Sequence, residues 1–172
     1  MSGAQPQARI DVGIVLERHK AKSQWVDYIW RPVAALPGVP DTPPWTPLDG
    51  SPEAMRYYAG GAEVKLYRSE VPRYRENLAS AAPALWVVLR PTSGEPAYEI
   101  VTVTADPSEG EAMTESGADL VETVPMPPPI QAMIEAFVAA HPVEETFFKR
   151  KRQDADPQAL ARRAGRPKDA KP

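Results

Sequence analysis

The sequence predicts an α+β fold, a largely antiparallel sheet covered by two or three short helices. Three observations carry that expectation. Segments of strand composition outnumber helical ones, most of them are joined by turn signals rather than by helices, and one late helix shows an apolar face suited to packing on a sheet.

Residues 1–8 are small and polar and are expected to be disordered. Ile10, Val12, Ile14 and Leu16 then alternate through residues 9–18, the period of a strand. A polar stretch leads into residues 25–36, a second strand interrupted by Pro32, which implies an edge position or a bulge because proline cannot donate to a ladder. Residues 39–52 hold Pro40, Pro43, Pro44, Pro47 and Pro52 around Trp45, and predict an extended, ordered loop pinned to the body by its tryptophan. Residues 55–59 and 63–68 read as a hairpin turning at Gly60-Gly61. Ser69 is positioned to cap a short helix through Leu78, with Pro72 in its first turn and Val71, Tyr74 and Leu78 on one face. Strands at 84–90 and 97–104 flank the turn-rich Pro91-Thr92-Ser93-Gly94. Asp106-Pro107-Ser108-Glu109 is the strongest helix start in the chain, and that helix ends at Gly117. A strand at 119–124 and an extended entry at 125–129 precede a helix over 130–140, with Ile130, Met133, Ile134, Phe137 and Val138 facing the core.

A length of 172 residues and 42% hydrophobic content suit one domain, assigned to residues 9–148, followed by a basic tail over 149–172. Val143, Phe147 and Phe148 are suited to docking on the body, and Asp156-Pro157 starts at most a marginal helix. The net charge of −3 conceals an asymmetry: 11 basic against 20 acidic residues up to Phe148, and 9 against 3 beyond it. The tail, opened by Lys149, Arg150, Lys151 and Arg152, reads most simply as a solvated segment and functionally as a contact for an acidic partner, nucleic acid or the chain's own acidic body. No apolar run approaches a membrane span and no leader pattern opens the chain, so a cytoplasmic location is expected. The absence of cysteine excludes disulfides, iron-sulfur ligation and thiol nucleophiles.

The two histidines, His19 and His141, have no partners at metal-ligand spacing, so neither a metal nor a cofactor is expected. Glycine-rich phosphate loops and nucleophile elbows are missing, and no residue is assigned a catalytic role. Glu144 and Glu145 beside His141, and Glu109, Glu111 and Glu115 on one helix, read as solvated acidic faces rather than acid-base pairs. Trp86 lies in an apolar strand and is expected in the core, whereas Trp30 beside Arg31, and Trp45 among prolines, suit a binding surface.

Trp30-Arg31-Pro32-Val33-Ala34 with Leu36-Pro37-Gly38, Tyr74-Arg75-Glu76-Asn77-Leu78, Trp86-Val87-Val88-Leu89-Arg90, Val124-Pro125-Met126-Pro127 and Phe148-Lys149-Arg150-Lys151-Arg152 occur in the order found in a proteobacterial family, domain of unknown function 3305, which the chain resembles from about Ile10 to Arg163. The resemblance implies an accessory to a molybdenum-dependent formate dehydrogenase, binding one of its subunits or a maturation factor. Trp30, Arg31, Trp45, Tyr74, Arg75 and Asn77 are the binding candidates. The alternatives are a pterin- or nucleotide-binding protein or enzyme of molybdenum cofactor metabolism and, against the acidic body, nucleic-acid binding through the tail.

Overall fold

The structure is a computed structural model and describes residues 3–143. The expected tail, with its Lys149 to Arg152 run, and Glu144, Glu145, Phe147 and Phe148 lie outside the described residues. The fold is α+β, mostly sheet: β1 (Ala8–Lys20), β2 (Tyr28–Pro37), β3 (Thr46–Ser51), β4 (Ala54–Leu66), β5 (Ala84–Pro91), β6 (Tyr98–Thr104) and β7 (Leu120–Pro125), with α1 (Val71–Ala79), α2 (Pro107–Glu115) and α3 (Pro128–Ala140). The strand order is β2-β1-β4-β6-β5-β7, with β3 added to β4. Every pairing is antiparallel except one parallel bridge, Val64 to Val103, between β4 and β6. The outer strands β2 and β7 lie against each other, so the sheet curls nearly into a barrel.

Alternation in β1 builds the interior. Ile10, Val12, Ile14 and Leu16 point inward and meet Val64, Leu66, Leu85, Val87, Leu89 and Val103 from the other strands. Burying each such side chain contributes about 1.5–3 kcal/mol. One end of this core is closed by Val71 and Tyr74 of α1 and by Ile130, Ile134 and Phe137 of α3. The expected face of that last helix shifts slightly, because Met133 is 54% exposed while the buried positions follow an i, i+4, i+7 row.

Pro32 sits at a bulge: the β1–β2 register skips Val33 on the outermost strand, where a missing N–H costs least. Asp106 caps α2 by accepting hydrogen bonds from the Ser108 and Glu109 N–H groups, with Pro107 at the first helical position. Trp86 is only half-buried, and α2 covers it at Gly110, where a Cβ would fall 2.1 Å from its ring.

Four expectations are corrected. Gly60-Gly61 is no turn; β4 runs straight through it, with Ala59 looped out of the register opposite Ile14 and Val15 and Gly60 at φ 135°. The 39–52 segment is not all loop, since Thr46–Ser51 pairs with β4 as an edge strand that tolerates Pro47. Ser69 does not cap α1; a 3-10 turn over Arg68–Glu70 leads into it and Glu70 occupies the cap without a side-chain bond. The amino-terminal end is ordered earlier than expected, since β1 begins at Ala8 and Gln7 bonds Leu66 O and Arg68 N.

Gly13 and Gly61, paired across β1 and β4, leave a gap without side chains of their own on the outer face of the sheet. The proline-rich segment lies over it, with Pro40 over Gly13 and Val39 over Gly61, before Pro44 reaches Gly60 beside Ile100. That path delivers Trp45 to the open end of the barrel.

Candidate functional site

At the end opposite α1 and α3, the inward stripe of β1 continues past Leu16 to Arg18. Arg18 pairs with Trp30 across β1–β2, and Leu16 pairs with Tyr57 across β1–β4, so all these side chains share one face of the sheet. The Arg18 guanidinium lies 4.2 Å from the Tyr28 ring centre, 5.4 Å from Tyr57 and 5.8 Å from Trp30. Trp30 in turn meets Trp45 edge to face at 5.7 Å and tilts against Tyr57 at 5.3 Å. Trp45 stands at φ 67°, a left-handed conformation that costs a non-glycine residue about 1–2 kcal/mol; its N–H donates to the Tyr58 carbonyl, which holds it there.

Arg18, Trp30, Trp45 and Tyr57, with the Glu95-Pro96-Ala97 turn, line an open cleft of about 310 Å³. The adjoining tip of the β1–β2 hairpin is unusually apolar for exposed chain: Trp25 is 86% exposed and Ile29 56%, with Val26 and Tyr28 also exposed. The turn is fixed by Ala21 N–H donating to Asp27 O and by Trp25 N–H donating to Ser23 Oγ.

The outward side of the same strands is a charge cluster. Glu17 is buried and receives Arg56 at 3.1 Å, Arg31 at 3.5 Å, and His19. Burial alone pushes its carboxyl up, but Arg56, His19 and Arg31 outweigh burial and hold it below the ordinary value of 4.5. Arg31 therefore belongs to this network and not to the cleft.

The remaining candidates are at the helical end. The Tyr74 hydroxyl accepts from Tyr67 N–H inside the core, and burial pushes its pKa up to about 12, so it stays neutral. Asn77 is buried and spans three backbone groups, donating to Ala84 O and Ala105 O and accepting from Ala84 N–H. Arg75 is exposed on the outer side of α1. Of the six sequence candidates, only Trp30 and Trp45 come together. Arg18, Tyr28 and Tyr57 were missed; the one available signal was a charged residue extending an alternating apolar stripe.

Another cavity, about 860 Å³, lies at the helical end between Gln7, Tyr67, Arg68, Pro72 and His141. Pro142 and Val143, the last described residues, also line it. His141 Nδ1–H donates to Phe137 O there, closing α3. Among the described residues, no group of three His, Asp or Glu is arranged to hold a metal, and no helix is long and apolar enough to cross a membrane.

A family model described as "Protein of unknown function (DUF3305)" matches residues 11–152. No curated protein and no solved structure gives a significant match.

Proposed function

The chain belongs to the family of proteins of unknown function DUF3305, and from that premise we propose that it is a non-catalytic accessory protein of a molybdenum-dependent formate dehydrogenase system. It acts in the cytoplasm by binding a protein, either a subunit of that enzyme or a maturation factor. The observation that carries the binding reading is the hairpin tip, where Trp25, Val26, Tyr28 and Ile29 are all exposed and Tyr28 leads into the aromatic cleft through its stack on Arg18. Large aromatic and arginine side chains at the centre of a surface patch are the groups that dominate protein association. The acidic body and the basic tail beyond Phe148 give such a partner opposite charges to steer by.

The concavity at Trp30 and Trp45 supports a second reading, a small planar ligand such as a pterin. At about 310 Å³ the cleft is at the small end for cofactor pockets, and it is open rather than enclosing.

Affinity capture of the tagged full chain from its own source, at native expression and during growth that demands formate oxidation, separates the readings. Enrichment of dehydrogenase subunits or maturation factors, lost in a Trp25→Ser, Ile29→Ser double variant, supports the accessory role. A retained pterin or nucleotide with no such protein overturns it.

A further inference from the structure

Among the described residues Arg18 makes no ion pair, as Arg68 and Arg75 make none, and Glu95 is the one carboxylate that lines its cleft. Arg9, Arg31, Arg56, Arg73 and Arg90 each meet a carboxylate among the described residues. Arg18 meets three aromatic rings instead, and its Nε is shut away from solvent with no hydrogen-bond partner among the described residues. Held by ring faces, the guanidinium is fixed in direction and makes no side-chain hydrogen bond among the described residues, an arrangement that lowers the entropic cost of taking up an anion.

We propose that the cleft receives one carboxylate of a protein partner, an Asp or Glu side chain next to an aromatic residue or proline, and that Arg18 pairs with it. This rests on the protein-binding reading and specifies the anchor. A single planar guanidinium matches a carboxylate through two parallel N–H···O bonds. A phosphate carries more charge and more acceptors than one arginine satisfies, and the other lining residues, Trp30, Trp45, Tyr57, Glu95, Pro96 and Ala97, add no second cation. Glu95 and the acidic body oppose a highly charged ligand while tolerating one carboxylate. A cationic ligand is excluded from the cage by Arg18 itself. The flanking residue follows from the lining, since Trp30 and Trp45 present apolar surface beside the guanidinium.

The test uses the full chain labelled with nitrogen-15, whose four tryptophans give four indole N–H signals. The probes are the blocked peptide acetyl-Ala-Phe-Glu-Pro-amide, its Gln twin and its phosphoserine twin. The Glu peptide is expected to shift the Trp30 and Trp45 indole signals saturably while Trp86 stays still, and to bind about tenfold more tightly than the Gln peptide. Arg18→Gln removes the difference between the two peptides, and Arg18→Lys restores only part of it. Equal binding of the Glu and Gln peptides, tighter binding of the phosphopeptide, shifts confined to Trp25 or Trp86, or no binding by the folded wild-type chain would each overturn the proposal. The comparison of peptides on the wild-type chain stands even if an Arg18 variant fails to fold. Partner capture that depends on Trp25 without any Glu-over-Gln preference leaves the accessory role intact and removes this anchor; the reverse result retains the anchor and removes the assigned partner.

Discussion

Asn77, at the end of the barrel closed by α1 and α3, places every polar atom of its amide on backbone partners; Arg18, at the opposite end, places its charge against ring faces and finds no carboxylate among the described residues. Both are polar side chains set into apolar surroundings by neighbouring strands and helices. At the first end the hydrogen bonds are closed and the residue acts as a brace. At the second they are left open, beside the most exposed apolar residues of the described chain. A satisfied buried group stabilises, whereas an oriented but unsatisfied one is free to recognise.

The contrast is broken most severely at the brace. Asn77→Ala strands the Ala84 N–H and two carbonyls and is expected to cost about 3 kcal/mol in urea unfolding, with the Trp30 and Trp45 indole signals unmoved. Gly110→Ala drives a methyl into the Trp86 ring and costs about 2 kcal/mol; equal stability to wild type in thermal unfolding would mean that α2 does not sit where the structure puts it.

Glu17 gives the contrast a pH dependence. Its folded pKa lies below its unfolded value, so its stabilisation is fully present above pH 4.5 and is lost as pH falls through the depressed folded value. Glu17→Gln is expected to lose about 1 kcal/mol at neutral pH, discounted for half-exposed arginine partners, and to flatten the acid limb of the stability curve. At the open end, Trp45→Gly should be more stable than Trp45→Ala by about 1 kcal/mol, because only glycine is at ease at φ 67°, while both lose the cleft. Trp25→Ser is the smallest change, within about 0.5 kcal/mol of wild type in stability and yet deleterious to partner capture.

The sheet was legible wherever chemistry is local. The alternation of Ile10 to Leu16 gave β1, Asp106-Pro107 gave the start of α2, and Pro32 gave a bulge on the outermost strand. Gly60-Gly61 misled because the dipeptide suits a turn and a strand bulge equally, and only the Val39 contact across the sheet distinguishes them. The cleft was half legible. Trp30 and Trp45 stand out as aromatic residues that no strand or helix pattern absorbs. Arg18, Tyr28 and Tyr57 join them through strand register, which is set by the whole sheet and not by neighbours in sequence. Tyr74 and Asn77 resembled recognition residues because a polar side chain looks the same in sequence whether its partner is a ligand or the chain's own backbone.

The bare outer-face pair Gly13 and Gly61 gives the cleft an adjustment that does not touch it. Trp45 rides at the end of a stiff proline-rich arm whose height is set by how closely Val39 and Pro40 rest on that pair. A single methyl at residue 61 would act as a shim under the arm, altering the gap between Trp45 and Trp30 from the far side of the sheet. The width of the cleft is therefore adjustable by residues that do not line it.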